Sequence, residues 1–245
     1  MTLARRALAE FIGTALLLLA VVGSGIAAQA LSPNDTGLQL LENALATGAA
    51  LVAIILAIGS VSGAHLNPVV SLADAFFHGL GTRALVAYTT AQVAGAIVGV
   101  VLANLLFALP AVTISTHVRS SPNLWLSEIA ATYGLLLVIF GVIRGGRAAL
   151  APFAVGAYIT GAYFFTSSTS FANPAVTIAR TLSDTFAGIA PVSVVPFIIA
   201  QVVGAALACA TVRVLWPRTS DENEEVIVPH RAAAPAALDL EVKRV

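Results

Sequence analysis

Two Asn-Pro pairs are the polar residues of this chain that are most suggestive of chemistry. They lie in Asn67-Pro68-Val69 and in Asn173-Pro174-Ala175. An Asn side chain can cap the free N–H groups of a helix, and Pro fits the first helical position because it has no N–H to lose. Each pair therefore predicts a helix start, with a hydrogen-bonding amide beside the positive end of the helix dipole.

The elements that position these pairs are too apolar for a water-soluble protein. The 245 residues are 58% hydrophobic and 10% charged, whereas soluble domains carry about 25% charged residues. The 12 Lys+Arg and 12 Asp+Glu cancel, which argues against nucleic-acid binding. The sequence shows no nucleophile–base set, no metal-spaced His/Cys cluster and no phosphate loop, so we expect no enzyme activity, no metal and no cofactor.

Hydrophobic runs predict an all-α membrane protein with six transmembrane helices. A span needs about 20 apolar residues, and suitable runs lie at 8–30, 42–62, 84–107, 124–143, 148–166 and 192–216. Two segments that begin near the Asn-Pro pairs, 67–78 and 173–183, are too short to cross and predict re-entrant half-helices. The membrane domain is expected at 1–216, and the acidic segment 217–245 is expected to be a disordered cytoplasmic tail.

Three landmarks recur in the same order and divide the domain into halves at about 1–107 and 124–216. Glu10 matches Glu128, the first Asn-Pro pair matches the second, and Gln92 matches Gln201. Because each half contains three spans, the second half must enter the membrane in the opposite direction. The repeat is therefore inverted, and the half-helices should meet with their N-termini near the midplane.

The loop arginines predict the orientation. Loop 31–41 has no arginine and loop 108–123 has only Arg119, whereas the other side of the membrane is rich in arginine. By the positive-inside rule, both termini are expected to be cytoplasmic. The arginines on that side are Arg5, Arg6, Arg83, Arg144, Arg147, Arg213 and Arg218.

Ser62-Gly63-Ala64-His65-Leu66-Asn67-Pro68-Val69 and Phe171-Ala172-Asn173-Pro174-Ala175 resemble the paired Asn-Pro-Ala boxes of the major intrinsic protein family, the aquaporins and glycerol facilitators. The resemblance covers about 1–216. It implies a lipid-embedded homotetramer with a pore in each subunit, in which Asn67 and Asn173 donate hydrogen bonds to the solute and the half-helix dipoles disfavour cations. Val69 stands where the family has Ala. The sequence does not decide how this larger side chain affects the width of the pore.

The resemblance also implies a narrower filter on the outer side. The family usually has an Arg directly after the second box, where this chain has Val176. Counting from the boxes places Thr47, Gly161 and Ser170 at the other filter positions. All four are small or short, which implies a wide filter without arginine that passes water, glycerol, urea or neutral metalloid hydroxides such as arsenous acid. A water-selective channel is the alternative.

The remaining intramembrane polar residues leave alternatives open. By resemblance, Glu10 and Glu128 hold the backbone of the re-entrant loops, whereas as proton carriers they would indicate a coupled transporter. His65 either faces the cytoplasmic half of the pore or braces its loop. Arg180 either anchors the end of its half-helix or reaches towards the outer vestibule in place of the missing arginine. Asp74 should have a partner that the sequence does not reveal.

Overall fold

The computed structural model describes residues 1–217, which form eight α-helices joined by short loops and three 3₁₀ turns. The tail predicted at 217–245 lies, from residue 218 onward, outside the described residues. The helices are α1 (Leu3–Leu31), α2 (Thr36–Ser62), α3 (Pro68–Phe76), α4 (Thr82–Leu106), α5 (Pro122–Arg144), α6 (Ala151–Phe165), α7 (Pro174–Ala179) and α8 (Val194–Leu215).

Six of these helices are long and apolar enough to cross a membrane, as the sequence predicts: α1, α2, α4, α5, α6 with its preceding turn, and α8 with its preceding turn. The two short helices, α3 and α7, begin at the Asn-Pro boxes. The all-α fold with two re-entrant half-helices in an inverted repeat is confirmed.

Two helices begin earlier than their hydrophobic runs. The Thr2 side chain caps α1 by accepting from the Arg5 amide at 3.4 Å, and Asp35 caps α2 by accepting from the Leu38 amide at 2.9 Å. Capping satisfies N–H groups of the first turn and so makes a polar turn helical. Hydrophobicity alone does not detect this extension.

Small residues let paired helices approach closely at the same place in each half. A methyl group added to Gly95 of α4 would collide with the carbonyl oxygen of Phe11 in α1, and one added to Gly204 of α8 would meet the carbonyl oxygen of Ile129 in α5. Backbone packs directly on backbone at both glycines, which is the association that small residues permit in lipid. This packing sets the position of the two helices that carry the landmark residues Glu10 and Gln92.

Replacing Gly95 by Ala should destabilise the protein, because the new methyl group has no room against the α1 backbone. We expect a loss of about 1–3 kcal/mol, measured as a lower midpoint of thermal unfolding in detergent. Gly59→Ala is the matched control, since its nearest neighbour, the Ile55 side chain, lies at 4.0 Å. A Gly95→Ala protein as stable as the wild type would show that α1 and α4 do not pack as described.

Candidate pore and its constriction

The two Asn-Pro boxes meet end to end and are joined by two equivalent hydrogen bonds. Asn67 Nδ2 donates to the carbonyl oxygen of Ala172, and Asn173 Nδ2 donates to that of Leu66, both at 2.8 Å. These bonds connect the N-terminus of each half-helix to the loop that leads into the other. The helix starts predicted from the two boxes therefore form one joined element.

Each asparagine has a second task at its own helix. The Oδ1 atom of Asn67 accepts from the Val69 amide at 3.0 Å, and that of Asn173 accepts from the Ala175 amide at 3.0 Å. A side-chain amide has two N–H donors, and one of them is used by the bond between the boxes. Since both side chains line a cavity, the other N–H is available to a solute inside it.

A buried carboxylate organises the loop before the first box. Glu10 is 0% exposed, and its Oε1 atom accepts from the His65 amide at 3.0 Å and from Ser62 Oγ at 2.6 Å. Its Oε2 atom accepts from the Leu66 amide at 2.7 Å and from Gln92 Nε2 at 2.8 Å. The carboxylate thus fixes two successive amides of a loop in which Leu66 has the left-handed φ of 53°.

The second half repeats this network with Glu128, also 0% exposed. Its two oxygens accept from the Phe171 and Ala172 amides, both at 2.9 Å, and from Gln201 Nε2 at 2.6 Å. Ala172, like its counterpart in the first half, has a left-handed φ, of 46°. Both landmark acids and both landmark glutamines therefore hold the loops that present the asparagines.

The cavity extends to both sides of the joined boxes. Its volume is about 90 Å³, and about 10–15 Å³ suffices for one water, so several waters fit. Along α6 it is lined from Ala151 to Tyr163, a rise of about 18 Å. We call the end near Tyr163 the outer end, following the predicted orientation. A cavity that reaches both sides of the joined boxes suits a channel better than a one-sided pocket.

Three of the four predicted filter residues line the outer part of this cavity: Thr47, Ser170 and Val176. Gly161 is not among the described residues that line the cavity. It lies on an exposed face of α6. The α6 residues that face the cavity recur every four positions, ending at Ile159 and Tyr163, and Gly161 is about 200° around the helix from each. The structure therefore places Tyr163, and not Gly161, on the cavity wall at this level of α6.

Tyr163 changes the character of the outer end. Its hydroxyl lies 3.1 Å from Thr47 Oγ1, which links α6 to α2 across the cavity wall. Ser170 is 5% exposed, and its Oγ has no hydrogen-bond partner among the described residues. Phe171 and Val176 supply apolar wall nearby. The outer end thus combines three hydroxyl groups with two apolar side chains.

His65 both borders the cavity and braces its loop, the two roles between which the sequence does not decide. It lines the inner part of the cavity, and its Nδ1 lies 3.0 Å from Ser71 Oγ on α3. Its Nε2 lies 3.7 Å from Asp74 Oδ2, so His65 is a partner of Asp74. The ring therefore braces its loop against the half-helix while one face borders the cavity.

Arg180 lies outside the cavity wall. It is 2% exposed, its Nε donates to the carbonyl oxygen of Ala187, and its guanidinium carbon lies 3.6 Å from the centroid of the Phe171 ring. The geometry favours anchoring of the half-helix end to the loop that follows. Phe171 was not singled out from the sequence, although its position two residues before Asn173 matches that of His65 before Asn67.

The chain matches the major intrinsic protein family over residues 1–170 and 156–242. It belongs to this family. The aquaglyceroporin AqpS of Rhizobium meliloti (strain 1021) is 51% identical over 211 residues, covering 86% of this chain and 90% of that protein. The aquaporin AqpM of Methanothermobacter marburgensis is 32% identical over 241 residues, covering 87% and 98%.

A solved structure supports the fold of this major intrinsic protein. The X-ray structure of the aquaglyceroporin from Plasmodium falciparum superposes with a TM-score of 0.68 at 22% identity, covering 88% of this chain and 98% of that one. The likeness of the helix arrangement extends across nearly the whole length of both chains. The low identity limits the comparison to the fold.

Replacing Glu128 by Gln should weaken the loop that carries Asn173. Gln has one acceptor oxygen instead of two, so one of the bound donors loses its partner at a buried site. We expect a loss of about 1–3 kcal/mol as a lower thermal midpoint in detergent, together with slower water flux in proteoliposomes.

Glu42→Gln is the matched control for this change, because Glu42 accepts one hydrogen bond, from Ser32 Oγ, which a Gln oxygen can also accept. It should leave both measurements unchanged. Wild-type stability and flux in Glu128→Gln would contradict a positioning role for the carboxylate.

Proposed function

We propose that this major intrinsic protein is a passive channel for water and small uncharged solutes, including glycerol, urea and neutral metalloid hydroxides. The observation that carries the proposal is Val176 on the outer wall of a cavity whose centre holds Asn67 and Asn173. The two amides can donate to a solute that has left bulk water, and the positive ends of both half-helices face the same place. Solute binding there requires no covalent step and no stored charge.

The chemistry of the outer wall supports uncharged solutes larger than water. Thr47, Tyr163 and Ser170 offer hydroxyl groups that both donate and accept, and Phe171 and Val176 offer apolar surface. A polyol has hydroxyl groups on one side and C–H groups on the other. It can therefore form hydrogen bonds with the hydroxyl groups of the wall while it packs against the apolar side chains. An undissociated metalloid hydroxide likewise presents only neutral O–H groups.

Tyr163 limits the size of the solutes in the proposed channel. The sequence places Gly161 in the filter, but the side chain on the cavity side of α6 is the tyrosine. Its bond to Thr47 holds the ring in place, so the opening is narrower on that side than a glycine would leave it. A valine at position 176 takes up less of the outer end than an arginine would.

A proton-coupled transporter is not favoured. Glu10 and Glu128 would be its proton carriers, but their oxygens are occupied by loop amides and glutamine side chains. Within residues 1–217, neither acid lies on the cavity wall. The family is one of channels rather than of enzymes, in agreement with the absence of a catalytic motif from the sequence.

We place the protein in the cell membrane with both termini cytoplasmic, as the arginine distribution supports. Many large apolar side chains of the six spanning helices are exposed in the single chain, and they suit contact with lipid tails or with other copies. A homotetramer, which the family resemblance implies, would cover part of this surface. The pore itself lies inside one subunit.

Replacing Val176 by Arg should convert the channel towards water selectivity, because a long charged side chain would fill the outer end. We expect glycerol and arsenite flux to fall about tenfold or more, with a much smaller effect on water. Shrinkage and uptake assays in proteoliposomes measure both. Val176→Met, which lengthens the side chain without adding charge, separates the effect of bulk from that of charge.

An unchanged solute profile in Val176→Arg, with the protein folded and passing water, would mean that residue 176 is not at the filter. The proposed wide filter would then be wrong even if the channel itself conducts.

A further inference from the structure

The inverted repeat places two equivalent side-chain pairs at opposite ends of the cavity. In each half, the residue seven positions after the box asparagine contacts the residue two positions before it. In the first half, Asp74 Oδ2 lies 3.7 Å from His65 Nε2, and in the second, the Arg180 guanidinium lies 3.6 Å from the Phe171 ring. The equivalent positions therefore carry opposite charges, with the acid near the inner end and the arginine near the outer end.

A second arginine approaches the same aromatic ring. Arg119 lies in the loop before α5, and its guanidinium carbon is 5.3 Å from the Phe171 centroid. Its Nε donates to the carbonyl oxygen of Gly188 at 2.9 Å, and its Nη2 donates to that of Phe186 at 3.2 Å. Because Phe171 itself lines the cavity, one ring separates two guanidinium groups from the solute path.

The charge of this pair is only partly compensated. The hydrogen-bond acceptors are backbone carbonyls, and within residues 1–217 no carboxylate oxygen lies within 4.0 Å of either guanidinium. Glu128 attracts both arginines from farther away, but it is a single carboxylate against two cations. The outer end of the cavity therefore has a net positive charge behind its wall.

Asp184, an acid in the loop that follows α7, is not bonded to either arginine. Asp184 accepts from the Thr116 amide at 2.8 Å and from the Thr116 hydroxyl at 3.1 Å. The hydrogen bond from the Thr116 amide lowers the pKa of Asp184, and among the described residues this carboxylate forms no ion pair with Arg119 or Arg180.

We propose that Arg119 and Arg180 form a second cation barrier at the outer end of this pore, in addition to the half-helix dipoles, and supply from behind Phe171 the positive charge that Val176 does not supply on the wall. The inference rests on the proposed function, since it presumes a solute path along Phe171. A charge beside a cavity repels cations through space, and protein between them screens far less than water does. Because neither guanidinium occupies the opening, the filter can be wide and still exclude cations.

The test compares cation leak with neutral flux in the full chain reconstituted into liposomes. Wild type should pass glycerol and water while Na⁺, K⁺ and H⁺ leak at the rate of empty liposomes. Arg119→Gln, which leaves the Arg180 anchor of the half-helix in place, should pass glycerol as wild type does and leak these cations about tenfold faster. Arg83→Gln, which removes an exposed arginine near the start of α4, should leak no more than wild type.

Normal glycerol flux without added cation leak in Arg119→Gln would overturn the inference. Arg119→Lys, which keeps the charge at the same half-buried loop position, is the matched comparison. Gln should leak more cations than Lys, and equal leak would overturn the inference. Failure of wild type to pass glycerol or water would instead overturn the proposed function, which separates the two outcomes.

Discussion

The structure depends on the two reciprocal hydrogen bonds between Asn67 and the Ala172 carbonyl and between Asn173 and the Leu66 carbonyl. Two helix N-termini that face each other in the middle of a membrane present like partial charges and unsatisfied N–H groups. Nothing in a lipid environment would hold them there unless each is capped and joined to the other. In each asparagine, Oδ1 caps its own half-helix and one N–H of Nδ2 donates to the other loop. The second N–H of each Nδ2 remains available to the cavity.

The rest of the fold keeps those amides in place. The loops that precede the boxes contain left-handed residues, Leu66 and Ala172, which cost conformational energy for side chains other than glycine. Glu10 and Glu128 offset that cost by accepting from two successive amides in each loop. The glutamines orient the carboxylates, and close glycine contacts between α1 and α4 and between α5 and α8 hold the carrying helices together.

Most of the fold could be predicted from the sequence because membrane burial produces long apolar runs and because the repeat carries three polar landmarks in order. The site was harder. Counting back from the second box predicts Gly161 at the filter. The count crosses the loop between α6 and α7, whose length does not determine which face of α6 points towards the cavity. The spacing of Ile159 and Tyr163 would have been the better signal. The partners of Asp74 and Arg180 are side chains in the loops before the boxes, and the composition of those loops does not predict the contacts.

In the proposed channel, selection by size and selection by charge depend on different residues. The hydroxyl and apolar groups of the outer wall select neutral solutes by fit, while the amides at the centre replace part of the lost hydration. The most direct test is the permeability of wild-type proteoliposomes to water and glycerol, measured across a range of gradients with and without a pH difference. The account predicts glycerol flux well above that of empty liposomes, proportional to the gradient and independent of pH difference. Fast water flux with glycerol at the empty-liposome rate would contradict it.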